Sequence, residues 1–213
     1  MTYPNAYKGV KNILTSIILT IFWAVGIVLL PVVLALSEAV SPFFLLIAIP
    51  ILVLMVVSFI LYIVGLSRAG RDEHLFRVAL LFYFLSMAAQ MLLFVLGNFL
   101  KLEFMTRVDG LPQACIEVLD LLTTLMVIGG IGSLAAKIGN ENVSRKVRTF
   151  RTLVALMYFL LIASYVVLFL FGKTSTTENF SLFCSVIAAV LEVVTSVFYL
   201  VILVKAKKML ASA

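Results

Sequence analysis

Charged side chains vanish from long intervals of this chain, between Lys11 and Glu38, Glu38 and Arg68, Arg77 and Lys101, and Arg151 and Lys173. A helix rises about 1.5 Å per residue and the hydrocarbon core of a bilayer is roughly 30 Å thick, so about twenty apolar residues make one crossing. Bounding the apolar runs by charged or Pro/Gly-rich breaks predicts six transmembrane helices, near 13–36, 43–66, 78–100, 112–136, 152–172 and 180–204. The expectation is an all-α, polytopic membrane protein forming a single domain over 1–213, because no hydrophilic stretch is long enough for a separate soluble unit. The first run has a basic start and ends in small residues, as a signal peptide does. Its apolar region exceeds the roughly 7 to 15 residues of a signal core, so it is expected to stay as a helix.

Local chemistry supports these boundaries. Ser41 and Pro42 offer an N-cap followed by proline in the first turn, and Leu111-Pro112 does similar work ahead of the fourth run. Pro31 and Pro50 fall inside apolar runs, where the missing N–H predicts kinks. Gly139-Asn140 marks a turn. Gly129, Gly130, Gly132, Ser133 and Ala136 make the fourth helix thin along one half, which suits close approach of a neighbouring helix or, as a sharper alternative, a seam between two copies of the chain.

An internal match runs through the pattern. At a shift of 75, Leu81, Tyr83, Phe84, Ala88 and Gly97 fall on Leu156, Tyr158, Phe159, Ala163 and Gly172, and Glu117 falls on Glu192. At a separate shift of 137, the ends of the second and sixth runs also match, Tyr62 and Arg68 falling on Tyr199 and Lys205. Tandem two-helix hairpins would produce this, as would chance matching among helices rich in Leu, Phe, Val and Ala; a true repeat of this kind would be parallel.

Composition sharpens the class. Hydrophobic residues make up 64% and charged residues 12%, where soluble domains carry about a quarter charged residues. The net charge of +6 arises from 16 Lys and Arg against 10 Asp and Glu. Thirteen of the 16 flank the helices on one side, and only Lys101, Arg107 and Lys173 fall on the other. The positive-inside rule then predicts cytoplasmic N- and C-termini in a cell (inner) membrane, with the basic side facing anionic inner-leaflet lipids; no nucleic-acid partner is needed to explain the charge.

Candidate chemistry lies with acids inside the runs. Charged groups there are costly and usually face a protein interior or a water-filled space. Glu117 and Asp120 belong to the fourth run, near its outer end, and Glu192 to the sixth, near mid-bilayer by residue count. Ser181, Ser185, Ala188, Glu192, Ser196 and Tyr199 recur at helical spacing on one face of the sixth helix. Glu117, Asp120 and Thr124 do so on the fourth, Asn12, Ser16 and Thr20 on the first, and Tyr83, Ser86 and Gln90 on the third. These stripes predict a polar cavity whose substrate- or ion-binding residues are Glu192, Asp120, Glu117, Gln90, Ser185, Ser196 and Thr124. The second helix offers little beyond Ser58 and Tyr62 and is expected to face lipid. No basic residue lies at matching depth, so these carboxyls must be protonated, hydrogen-bonded or paired with a bound cation.

Other chemistries find few parts. His74, the single histidine, sits in a charged stretch with Arg68, Arg71, Asp72 and Glu73 that suits a solvated turn. A histidine-based metal site or Ser-His pair is therefore not expected, and no phosphate-binding loop motif occurs, so neither an enzyme nor a cofactor is indicated. Cys115 and Cys184 sit at similar distances from the outer ends of their helices and are a candidate disulfide. The favoured functional expectation is a small transporter or channel-like protein taking a cation or cationic solute through an outward-opening acidic cavity. The alternative is a non-transporting membrane subunit or interaction partner, acting by helix packing, as a homo-oligomer or beside another membrane subunit.

Overall fold

The computed structural model describes residues 2–36, 42–98, 110–172 and 174–213. Among these residues there are six helices: α1 (Pro4–Leu36), α2 (Pro42–Ala69), α3 (His74–Asn98), α4 (Gly110–Ile138), α5 (Glu141–Phe171) and α6 (Ser175–Ser212). All six are long and apolar enough to cross a bilayer, the architecture of a multi-pass membrane protein. The cap expected at Ser41 and the cations Lys101, Arg107 and Lys173 lie outside the described residues.

The helices outrun the apolar segments because a helical hydrogen-bond ladder stops where caps intervene, not where hydrophobicity does. Asn140 caps α5, its side chain accepting from the Val143 N–H, just after Gly139 takes a left-handed φ of 76°. Thr174 and Thr177 form a reciprocal capping box at the start of α6. α2 runs on through Pro50.

Each helix packs on its chain neighbours, and α1 meets α6, which closes a ring. The ring is tight toward the end where α2 turns into α3. There Val10, Ile13, Leu66, Phe76, Ile131, Leu203 and Leu210 form one buried core. Lipid offers no hydrophobic drive for helix association, so close approach has to come from small residues. A Cβ placed on Gly9 would lie 2.6 Å from the Gly65 carbonyl oxygen, which shows how closely α1 and α2 cross. Gly130 accommodates the Phe76 ring and Gly132 the Val147 side chain, so the small residues of α4 serve packing within the chain.

The charged turn between α2 and α3 is not simply solvated. The Asp72 carboxylate accepts from the Ala6 N–H at 2.7 Å and from Asn5 Nδ2 at 3.0 Å, which caps the first turn of α1. Glu73 is buried, and its Oε2 accepts from Ser133 Oγ at 2.8 Å and Lys137 Nζ at 2.7 Å. A short turn between two helices thus ties down two others. Burial opposes ionisation of Glu73, but the Lys137 and Ser133 hydrogen bonds and the Lys137 charge prevail and hold its carboxyl below the ordinary value.

Candidate functional site

Away from the tight end, α1, α2, α3 and α4 part around a cavity of about 620 Å³. Helical spacing carries each lining stripe. α1 contributes Ser16, Thr20 and Trp23, α2 contributes Met55, Ser58, Phe59 and Tyr62, and α3 contributes Tyr83, Ser86 and Gln90. Asp120 is the acid in the wall, supplied by α4.

The polar groups are ordered by hydrogen bonds. Ser86 Oγ donates to Asp120 Oδ1 at 2.6 Å, and Gln90 Nε2 donates to Ser86 Oγ at 3.3 Å. The second carboxylate oxygen of Asp120 accepts no hydrogen bond among the described residues. Ser16 Oγ donates to the Ser58 carbonyl at 2.6 Å, joining α1 to α2 beneath the cavity. At about 1.5 Å per residue, Asp120 measured from Ser133 and Ser86 measured from Glu73 both stand roughly 20 Å from the charged turn, so the two contacts between α3 and α4 share one register.

Aromatic rings make up much of the wall. Tyr83 lies with its ring centroid 4.9 Å from that of Tyr62 and 6.0 Å from that of Phe59. Trp23 turns a buried indole N–H into this region, and that N–H has no partner among the described residues. Below the rings, Tyr62 pairs with Tyr199, and Tyr158 with Thr124. Tyr62 with Tyr199, and Tyr83 with Tyr158, are the pairs that the internal sequence match superimposes, and all four tyrosines meet in one cluster.

The residues singled out by pattern divide into groups. Asp120 and Gln90 line the cavity. Thr124 packs beside it through Tyr158, and Glu117 accepts from Gln113 Nε2 at 3.2 Å within electrostatic reach of both Asp120 and Glu192. Glu192 and Ser196 are exposed, Ser185 is half-buried, and none of the three lines the cavity. Glu192 stands one turn from Ala188 and Thr195, on the flank of the buried stripe of α6. No carboxyl among Glu117, Asp120 and Glu192 meets a cation, since the ion pair found among the described residues is Lys137–Glu73.

One expectation is extended and one corrected. α2, expected to face lipid, exposes Ile49, Leu52, Val53, Val57 and Ile60 but also supplies as much of the wall as any helix; its cavity face is largely apolar and aromatic, which polarity alone cannot tell from a lipid-facing stripe. Cys115 and Cys184 are free, the first exposed and the second buried, so no bridge joins α4 to α6. Trp23 drew no notice in the sequence, although its i+3 spacing from Thr20 was the available signal.

No family model matches the chain, and no curated protein or solved structure shows detectable similarity to it.

Proposed function

We propose that this is a small membrane transport protein whose cavity takes up a cation or cationic solute at Asp120. The carrying observation is a carboxylate that lines a space walled by Trp23, Phe59, Tyr62 and Tyr83, with one oxygen held by Ser86 and the second accepting no hydrogen bond among the described residues. A carboxylate inside a membrane span without a basic partner is neutralised by a proton or by a bound cation. Aromatic faces attract cations by about 0.5–2 kcal/mol each once water is excluded, and they favour a weakly hydrated organic cation over a metal ion, which demands more oxygen ligands. Glu117, within electrostatic reach of Asp120, adds negative potential there without lining the same space. The basic end of the bundle is assigned to the cytoplasm, which directs the cavity outward.

The reading is tested with purified protein in liposomes, measuring saturable binding and flux of a permanent organic monocation such as tetraphenylphosphonium beside a neutral aromatic analogue. The proposal expects the cation to bind and to compete with other organic cations, and the neutral analogue to do neither. Equal behaviour of the two compounds, or no saturable binding of any cation, overturns it and leaves the packing-subunit alternative.

A further inference from the structure

The opposite end of the molecule carries a second concavity, between the start of α5 and the end of α6. It has a volume of about 330 Å³ and is lined by Asn140, Asn142, Lys205, Lys208 and Ser212. Lys146, one turn further along α5, and Lys208 both lie within electrostatic reach of Lys205. No acidic side chain lines this space; the neighbouring Glu141 is exposed on the first turn of α5.

Ammonium groups gathered around one concavity without a counter-charge repel, and flexible lysine stems would normally swing apart into water. A bridging anion turns the same geometry from a cost into a set of charge-assisted hydrogen bonds. The start of α5 points the same way. Asn140 satisfies the Val143 N–H at 3.1 Å, while the N–H groups of Glu141 and Asn142 find no acceptor among the described residues. Those free N–H groups and the positive end of a 31-residue helix suit an oxyanion. Lys205 also marks the point where the apolar run of α6 gives way to charge, which is the depth of lipid headgroups.

We infer that Lys146, Lys205 and Lys208, with the N-terminus of α5, form a binding site for a phosphate group, carried either by an anionic lipid headgroup or by a soluble phosphate. The site is separate from the Asp120 cavity and does not depend on the transport reading.

The test compares wild type with K146Q/K205Q and with K8Q/K11Q, which removes two exposed charges elsewhere on the same end. Native mass spectrometry of detergent-solubilised protein titrates phosphatidylglycerol against phosphatidylcholine, and thermal melting titrates inorganic phosphate against chloride at constant ionic strength. The expected result is preferential retention of phosphatidylglycerol, weakened roughly thirtyfold in K146Q/K205Q and little changed in K8Q/K11Q. Stabilisation by inorganic phosphate alone, lost in the same variant, assigns the site to a soluble phosphate instead. Without any anion, K146Q/K205Q should melt at or above the wild-type temperature, because repulsion is relieved; a lower melting temperature there means that the lysines are structural and overturns the site. Equal weakening in both double variants, or no binding of either probe, also overturns it.

Discussion

Ser86 on α3 and Asp120 on α4 meet through a 2.6 Å hydrogen bond in the cavity wall, and the second carboxylate oxygen accepts no hydrogen bond among the described residues. The serine positions the acid; the acid supplies the charge. Asp120→Asn keeps a hydrogen-bond acceptor for Ser86 and removes the charge, so organic-cation affinity should fall about a hundredfold with the fold intact. Glu192→Gln, which alters a group outside the cavity wall, should change affinity by no more than a few fold. Equilibrium binding to both purified variants checks the contrast, and equal losses would place the cation elsewhere.

The buried Glu73 links the α2–α3 turn to Ser133 and Lys137. Because its carboxyl is held below the ordinary value near 4.5, it stabilises the fold above that value, and this contribution disappears as pH falls through and below it. The melting temperature in detergent should therefore hold from pH 7 to about 5 and drop as pH falls below 4.5, and Glu73→Gln should flatten that drop. Glu73→Ala leaves Lys137 and Ser133 without their acceptor and should cost about 2–3 kcal/mol at neutral pH.

Glycines at two contacts should respond in opposite ways. At Gly9 an added Cβ meets backbone atoms of α2 at 2.6 Å, so Gly9→Ala should separate α1 from α2 and destabilise by at least about 1–3 kcal/mol. At Gly129 the nearest atom is Leu75 Cδ1 at 3.5 Å, an ordinary contact, and Gly129→Ala should be neutral or stabilising by up to about 1 kcal/mol through helix propensity. Melting temperature and the monodisperse fraction after purification measure both.

The free thiols predict that oxidising and reducing buffers give one melting temperature, and that Cys184→Ser is felt more than Cys115→Ser because only Cys184 is buried. A melting temperature that drops on reduction would reinstate the bridge.

The turn at Gly139-Asn140, the six helices and the helical stripes carrying Asp120 and Gln90 were legible in the chain, since each depends on residues within a few positions of one another. The wall supplied by α2 was not. Met55 and Phe59 are the residue types that lipid also accepts, so their place in a cavity wall leaves no mark in the pattern. Glu73 was hidden for a different reason: its partners, Ser133 and Lys137, lie 60 and 64 residues away.

Sequence by itself determined that the chain crosses a bilayer six times, because an apolar run long enough to span hydrocarbon must satisfy its backbone as a helix. Which acid faces an enclosed space, which faces the periphery and which is tied by a lysine was decided only when the helices closed into a ring. Those outcomes depend on the rotation of each helix about its own axis, which is set by contacts such as Gly9 against Gly65 and Phe76 against Gly130 between parts of the chain far apart in sequence.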